Sequence, residues 1–209
     1  MSSVSTLINR AARLIMPARS KERYFSAVKW DDSWSRGYES TMNSAQEDAR
    51  YGSLIALMRR YEREGPVLDV GCGDGLLEEW YRKISDAPVV AFDYSQAAIE
   101  RARARNLRGV EFLCADSRTF QPKERFSAAV LNESLYYVDD YLGLLERLSG
   151  ALASDGVFVI SMHDTRITRR IWRNVQRVYT AVHGITLEHE PGGGLWRIRV
   201  FRPPKGGAA

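Results

Sequence analysis

Residues 67–75, with the sequence VLDVGCGDG, limit the possible folds of this chain more than any other segment. The apolar run at 67–70 predicts a short buried strand, and the amphipathic residues from 76 onward predict a helix directly after it. Three glycines at every second position therefore fall in a strand-to-helix turn. Glycine belongs in such a turn where φ is positive or where a ligand lies against bare backbone. The unpaired N–H groups at the start of the helix would face that ligand.

Strands and helices alternate through the rest of the chain. We predict strands over 67–70, 89–92, 110–114, 127–131 and 157–162. We predict helices over 76–83, 96–105, 140–148 and 165–182, and an earlier helix that opens at the capping box of Ser44 and Glu47 and runs to about Arg60. This alternation predicts an α/β fold, a doubly wound parallel sheet with helices on both faces. The segments 185–190 and 195–201 flank a Pro-Gly turn and predict a terminal antiparallel hairpin.

The composition fits one domain. The chain has 209 residues, of which 44% are hydrophobic, and this is enough for one core of ordinary size. No apolar run approaches the roughly 20 residues of a membrane span, and the N-terminus lacks a secretory signal, so we expect a cytoplasmic protein. Cys72 and Cys114 are expected to be free thiols. With three histidines and two cysteines set apart, we expect no metal site.

Three regions are expected along the chain: a helical or lid segment at 1–43, the α/β domain at 44–203 and a flexible tail at 204–209. The first segment carries a basic amphipathic helix, which fits a lid, a helix packed on the domain, or a contact with an anionic membrane surface. Residues 30–38 are aromatic and polar without a clear period, which is typical of a lid over a pocket and equally of a surface loop. The net charge of +4 tolerates an anionic partner without requiring one.

Polar side chains follow four successive predicted strands. The first strand ends at the glycine turn, the second at Asp93, the third at Asp116 and Ser117, and the fourth at Asn132. In open α/β sheets, ligands bind at these carboxyl ends. A dinucleotide would require the spacing G-x-G-x-x-G, whereas this chain has G-x-G-x-G. S-adenosylmethionine, which has no phosphate, fits the shorter spacing, with Asp93 accepting hydrogen bonds from the ribose hydroxyls.

The motif Asp69-x-Gly71-x-Gly73-x-Gly75, together with Asp93 and Asp116-Ser117, resembles the cofactor motifs of class I S-adenosylmethionine-dependent methyltransferases. The resemblance covers about residues 44–201 and implies a Rossmann-like seven-stranded sheet in the order 3-2-1-4-5-7-6. It also implies that the methionine portion lies on the glycine turn, the ribose on Asp93 and the adenine on Asp116, Ser117 and Tyr94. The cofactor-binding residues expected on this basis are Asp69, Gly71, Cys72, Gly73, Asp93, Tyr94, Asp116, Ser117 and Asn132.

The segment 132–137, with the sequence NESLYY, points to the branch of the family. It lacks the proline pair of enzymes that methylate nucleobase amines, and no cysteine is placed for cytosine-C5 chemistry. It is most similar to small-molecule O- and N-methyltransferases that act on sugars, glycan precursors and natural products, including the nodulation-factor enzymes. We therefore expect a small-molecule acceptor; an RNA methyltransferase and a non-catalytic cofactor-binding subunit remain the alternatives, with a dehydrogenase more distant.

Two residues are candidate general bases. His163, at the end of the fifth strand, is the best-placed base, because the unperturbed pKa of a histidine lies near neutral, and Asp164 beside it could orient it. Glu133 is the rival base, or an anchor for an acceptor amine, and an amine could also react with no base at all. We expect the acceptor to be bound by Trp34, Tyr38, Tyr136, Tyr137 and Arg170. The last of these belongs to an arginine series on the helix after His163, which is either a solvated face or a contact for a diphosphate.

Overall fold

Helices and strands alternate through most of the chain in a computed structural model, which describes residues 27–36, 45–190 and 194–204. The helices are α1 (Ala27–Ser35), α2 (Ala45–Tyr61), α3 (Leu76–Tyr81), α4 (Gln96–Ala104), α5 (Tyr141–Ala151) and α6 (Arg166–Val178), with one 3₁₀ turn at Leu135–Tyr137. The strands are β1 (Val67–Val70), β2 (Val89–Asp93), β3 (Val110–Cys114), β4 (Phe126–Asn132), β5 (Leu152–His163), β6 (Thr180–His189) and β7 (Gly194–Arg202).

The seven strands form one sheet in the order β3-β2-β1-β4-β5-β7-β6. The first five strands pair in parallel, and β7 pairs antiparallel with both β5 and β6. The predicted α/β class, strand order and terminal hairpin are therefore confirmed. The carboxyl ends of β1, β2, β3 and β4 meet at one edge of the sheet, because parallel neighbours run in register.

Helices cover both faces of the sheet. Side chains alternate between faces along each strand, so Val67 of β1 packs on one side and Leu68 on the other. Buried residues of α2, α3 and α4 cover the first face, and those of α5 and α6 cover the second. Since both faces are buried, the parallel strands are almost continuously apolar, as the sequence indicated.

Helix α6 is shorter than predicted. The periodicity suggested a helix through residue 182 with Val178 facing the sheet, but α6 ends at Val178, which is 47% exposed. Thr180 already pairs with Arg202 in β6. Branched residues at 178, 180 and 182 favour the extended conformation, and pairing with the nine-residue β7 extends the edge strand at its start.

The first described element of the chain is the helix α1. From the sequence, residues 30–38 were equally compatible with a lid and with a surface loop. The predicted basic helix within 1–23, Tyr38 and the tail after 204 lie outside the described residues. Within those residues, no helix combines the length and apolar character needed to cross a bilayer. Both cysteines are free thiols, Cys72 buried and Cys114 exposed.

Candidate active site

The loop after β1 is shaped by its glycines. Gly71, Gly73 and Gly75 have φ values of 82°, 59° and 80°, in the left-handed region that favours glycine. A β-carbon added to Gly71 would lie 2.6 Å from the β-carbon of Ser134, so the loop also requires close approach. The loop therefore requires glycine for two reasons, its backbone conformation and the lack of space for a side chain, as the sequence predicted.

Asp93 ties this loop to the end of β2. One carboxylate oxygen accepts a hydrogen bond from the N–H of Gly73 at 3.0 Å, and the other accepts from the N–H of Ser95 at 2.9 Å. Burial raises the pKa of the Asp93 carboxyl, while these backbone donors act in the opposite direction. Asp93 lines the cavity between the two loops, and a carboxylate oxygen can accept more than one hydrogen bond.

A cavity of about 570 Å³ lies at the carboxyl edge of the sheet. This volume is in the range of sites for drug-sized ligands and cofactors. Its walls come from α1, α2 and the loops after the first four strands, with one residue from α5 and one from β7. The residues discussed below that line it are Trp30, Trp34, Glu47, Arg50, Gly71, Cys72, Gly73, Asp93, Tyr94, Asp116, Ser117, Arg118, Asn132, Glu133, Ser134, Tyr136, Tyr137, Arg147 and Trp196.

The cavity wall is acidic. Among the described residues that line it are seven carboxylates and three arginines, with no lysine. An excess of negative charge disfavours a diphosphate and favours a ligand with positive charge. This electrostatic preference separates the two cofactor classes that the glycine spacing alone left in competition.

Asp69 is not among the described residues that line the cavity. It lies behind the glycine loop, 1% exposed, next to Glu78 of α3, which is 2% exposed. Outside this pair, no described side chain donates a hydrogen bond to any of the four carboxyl oxygens. Burial raises the pKa of Asp69 to about 6 and that of Glu78 well above its usual range; the Asp69 carboxylate raises the pKa of Glu78 further, whereas a hydrogen bond from Glu78 lowers that of Asp69. The pair therefore holds a proton at neutral pH.

Arg50 of α2 is a fully buried arginine at the cavity wall, only 1% exposed. Its guanidinium donates to Glu47 one turn earlier and to the side-chain oxygen of Asn132 at the end of β4. The nearby carboxylates of Glu133 and Glu47 raise its pKa against the effect of burial. The arginine therefore keeps its positive charge. Its hydrogen bond to Asn132 joins α2 to the end of β4.

Glu133 adopts a backbone conformation that is unusual for its residue type, with φ at 55°. Its N–H donates to the carbonyl of Ser161 at 3.0 Å, and its carboxylate accepts from the Tyr136 hydroxyl at 2.9 Å. Left-handed non-glycine residues are concentrated at functional sites, since the surrounding structure must stabilise them. Here the conformation directs a carboxylate into the cavity wall.

Aromatic side chains cover the cavity. Trp34 of α1 is 5% exposed and packs on the glycine loop, where a β-carbon on Gly73 would lie 2.8 Å from its ring. Trp30 meets Tyr137 edge-on at 5.1 Å, and Tyr137 lies against Tyr136 at 4.5 Å. The structure thus brings together three of the predicted acceptor-binding residues, Trp34, Tyr136 and Tyr137.

The β3 end of the cavity holds Tyr94, Asp116 and Ser117, as predicted. Asp116 accepts hydrogen bonds from both the backbone and the guanidinium of Arg118, and these lower the pKa of its carboxyl. The carbonyl of Ser117 accepts from Arg147 at 2.8 Å. Both interactions fix the loop after β3 at the mouth of the cavity.

Besides Asp69, the predicted residues His163 and Arg170 are not among the described residues lining the cavity. His163 packs its ring edge-on against Trp196 at 5.0 Å, and Trp196 is the residue of that pair that lines the wall. Asp164 beside it binds Arg169 and Arg197 rather than the histidine. Arg170 lies on the exposed outer side of α6. Of the two candidate bases, Glu133 is the one among the described residues that line the cavity.

Sequence reasoning missed Arg50, Glu47, Glu78 and Trp196. The spacing of Glu47 and Arg50 on one helical turn was a signal for an ion pair, although not for its place in the cavity. Glu78 follows the apolar Leu76 and Leu77 in the sequence, and its burial in α3 was not predicted. Within the described residues, no three histidine, cysteine, aspartate or glutamate side chains group to hold a metal ion.

The fold and the acidic cavity together define an α/β domain that accommodates a nucleoside ligand at the ends of four parallel strands. A family model described as a methyltransferase domain matches residues 44–199, and the chain belongs to this family of methyltransferase domains.

Three comparisons illustrate the relationship. The trans-aconitate 2-methyltransferase of Methylobacterium radiotolerans is 35% identical over 134 residues, which are 62% of this chain and 51% of that protein. Nodulation protein S of Bradyrhizobium diazoefficiens is 27% identical over 157 residues, 73% of this chain and 72% of that protein. The crystal structure of the N-methyltransferase NodS from Bradyrhizobium japonicum WM9, with S-adenosyl-L-homocysteine, superposes with a TM-score of 0.70 at 20% identity, over 84% of this chain and 99% of that one. The chain thus spans about half the length of the first relative and nearly all of the solved structure.

Proposed function

We propose that this chain transfers the methyl group of S-adenosylmethionine to an amine or hydroxyl of a small polar molecule, such as a sugar, a glycan precursor or a natural product. The observation that carries the proposal is the cavity at the ends of β1 to β4, with Asp93 at one end and Glu133 at the other. The methyltransferase family match and the names of the relatives support the same reaction class.

The cavity fits the cofactor in charge and in shape. When bound, S-adenosylmethionine supplies an electrophilic methyl group on a positively charged sulfur. The acidic wall suits that charge, and the bare backbone at Gly71 and Gly73 leaves room for a ligand where a side chain has none. Asp93 would accept hydrogen bonds from the ribose hydroxyls with its remaining acceptor sites, and Tyr94, Asp116 and Ser117 would hold the adenine.

Arg50 would bind the methionine carboxylate. Its guanidinium is buried at the cavity wall and is already oriented by Glu47 and Asn132, so it retains few rotamers to lose on binding. Gly71 and Cys72 line the same wall and offer close backbone approach. Asp69 would act from behind the loop, together with Glu78, because it does not face the cavity.

Glu133 would hold the acceptor. Its carboxylate is oriented by the Tyr136 hydroxyl and by the left-handed backbone. With a hydroxyl acceptor, the Glu133 carboxylate would take the hydroxyl proton as the acceptor oxygen is methylated. With an amine acceptor, the carboxylate would hold the protonated amine until solvent removes the proton, and the neutral amine would then be methylated. Displacement reactions gain most from such positioning and from the exclusion of water, which α1 provides through Trp30 and Trp34.

The charges at the Glu133 end of the cavity favour some classes of acceptor over others. Glu47 and Glu133 outnumber Arg50, which is itself held by Glu47 and Asn132. A neutral or cationic acceptor is therefore favoured over a polycarboxylic acid, even though trans-aconitate is named for the first relative. The faces of Tyr136, Tyr137 and Trp196 suit a sugar or a flat ring. Arg170 would contribute only to an acceptor that extends past the cavity mouth onto α6.

The free thiols of Cys72 and Cys114 fit a reducing compartment, and we propose the cytoplasm.

The test is incubation with S-adenosylmethionine carrying a labelled methyl group and a panel of amino sugars, nucleotide sugars, glycans, aromatic amines and tricarboxylic acids. Mass spectrometry should detect one added labelled methyl group on an amine or hydroxyl compound, and no more than background on the tricarboxylic acids. Transfer to a tricarboxylic acid would overturn the acceptor class. Binding of the cofactor with no transfer to any compound would favour a non-catalytic subunit, and salt-dependent transfer to RNA would favour the other alternative.

A further inference from the structure

Helix α1 holds on to the loop after β2 through one carboxylate. An Asp31 oxygen accepts a hydrogen bond from the N–H of Ala97 at 3.1 Å and another from the Ser95 hydroxyl. The first turn of α4 has no acidic residue of its own, so Asp31 supplies negative charge to the N-terminus of that helix from a different element. This contact joins residues more than 60 positions apart in the chain.

The same helix also holds the glycine loop. Trp34, one turn after Asp31, packs against Gly73. Gly73 and Ser95 are in turn joined by Asp93, which accepts hydrogen bonds from both backbone N–H groups. The contacts form a closed circuit from α1 through both cofactor loops and back to α1. Asp31 itself is not among the described residues that line the cavity, so it acts on a ligand only through this circuit.

We propose that Asp31 is a positioning residue that latches α1 over the nucleoside end of the cavity and thereby limits how fast the demethylated cofactor leaves. The proposal rests on the proposed function, since it takes the bound nucleoside to be that of S-adenosylmethionine. On this proposal Asp31 affects how long the ligand stays bound and not the rate of the methyl transfer.

The latch is separable from the stability of the domain. Among the described side chains of α1, none belongs to either hydrophobic core cluster, including the buried Trp34. Loosening α1 therefore uncovers the cavity without removing a core residue from the sheet or from the helices that pack on it. Segments with few core contacts open at low free energy, and lids are of this kind.

The adjacent residue offers a matched control. Asp32 has the same charge on the same helix, but it forms an exposed pair with Arg36 at 2.8 Å and its side chain is 52% exposed. Replacing Asp32 by alanine removes an equal charge without touching either loop. Asp31→Asn is the conservative partner, because its side-chain oxygen still accepts the hydrogen bonds of Ser95 and Ala97.

The experiment measures the dissociation rate of labelled S-adenosylhomocysteine, chased by excess unlabelled compound, from the wild-type chain and the three variants. We expect Asp31→Ala to release the compound about tenfold faster, as the loss of two hydrogen bonds allows. We expect Asp31→Asn to stay within about threefold of wild type and Asp32→Ala to match it. Equal rates for Asp31→Ala and wild type would overturn the latch, while failure of the wild-type chain to bind at all would overturn the proposed function instead.

Hydrogen exchange provides a second measurement that does not depend on catalysis. With S-adenosylhomocysteine bound, the Ala97 amide should exchange faster in Asp31→Ala than in wild type, and amides of β1 and β4 should be unchanged. Faster exchange across the whole sheet would show that the substitution destabilises the domain. This would overturn the proposal that Asp31 acts only by holding α1 in place.

Discussion

The backbone nitrogen of Gly73 and a carboxylate oxygen of Asp93 lie 3.0 Å apart, and this hydrogen bond joins the loop after β1 to the end of β2, together with those that the N–H groups of Gly71 and Cys72 donate to the Phe92 carbonyl. Removal of the carboxylate would leave the Gly73 N–H without this acceptor, and a movement of Gly73 would change the acceptor sites of the carboxylate. The two loops behave as one ligand-binding unit for that reason. The predictions below probe this unit and the residues that support it.

Substitution of Gly71 tests the shape of the loop. Gly71→Ala places a β-carbon 2.6 Å from that of Ser134 and in a residue with φ of 82°, so we expect a loss of about 2–4 kcal/mol in the free energy of unfolding. The matched control is Gly52→Ala in α2, where no atom of the described residues lies within 4 Å of the added carbon, the chain neighbours and the backbone of the helix itself aside. Because alanine favours a helix, the control should gain about 0.5–1 kcal/mol in urea unfolding. A destabilised control and an unaffected Gly71→Ala would contradict the geometry.

Arg50 tests the buried charge at the cavity wall. Arg50→Ala leaves Glu47 and Asn132 without their donor, so we expect a loss of roughly 3 kcal/mol in stability and at least tenfold weaker binding of S-adenosylmethionine. Arg60→Ala, on the exposed side of the same helix, should change neither by a measurable amount. Calorimetry on both proteins, below their unfolding temperatures, separates the two effects. Unchanged cofactor affinity in folded Arg50→Ala would remove its assignment to the methionine carboxylate.

Glu133 and His163 are distinguished by kinetics once an acceptor is known. With a hydroxyl acceptor, Glu133→Gln should lower kcat by about 100-fold or more, in the range of general-base catalysis. With an amine acceptor, the same variant should mainly raise KM, because it loses the anchor for a charged amine. His163→Ala should stay within about threefold of wild type, since its ring packs on Trp196 outside the described cavity wall. A large loss in His163→Ala with an active Glu133→Gln would reverse the two assignments.

The buried Asp69–Glu78 pair gives a pH dependence of stability. Burial raises the pKa of Asp69 to about 6 and that of Glu78 further, so the folded chain holds a proton that the unfolded chain releases above its ordinary carboxyl pKa. This contribution to stability is complete below about pH 4 and is lost as pH rises through the folded pKa. Glu78→Gln binds no such proton. It should therefore gain stability relative to wild type from about pH 4 to pH 7, by the order of 2 kcal/mol.

Thermal unfolding at a series of pH values measures that difference. The exposed Glu100→Gln, on α4, is the control and should run parallel to wild type. A constant difference between Glu78→Gln and wild type across this range would mean that the pair does not hold a proton.

The parallel sheet and its carboxyl-edge site were predictable because short apolar strands alternate with amphipathic helices, whereas the strand order was implied only by the resemblance to class I methyltransferases. Asp93, Asp116 and Asn132 were found by the same logic, since each directly follows a strand that the pattern identifies. What periodicity cannot provide is the direction in which a side chain at a strand end points. For that reason His163 was the first candidate base in the sequence and Glu133 its rival, although of the two only Glu133 is among the described residues that line the cavity.

Contacts between distant segments were also beyond the sequence. Arg50 meets Asn132 across 82 positions, and Asp31 meets Ser95 across 64. Each pair depends on where a helix outside the alternating pattern packs, which is set by the tertiary fold. The end of α6 was missed for a related reason, because β-branched residues at 178–182 fit a helical period and were placed in a strand only by pairing with β7.

The most direct measurement is isothermal calorimetry of S-adenosylhomocysteine with the wild-type chain and with Asp93→Ala. The account predicts a single site on the wild-type chain and binding at least 100-fold weaker in Asp93→Ala, because the variant loses the ribose acceptor and the tie to Gly73 together. The exposed Asp86→Ala should bind as the wild type does. Absence of binding to the wild-type chain, or equal affinity in Asp93→Ala, would contradict the account.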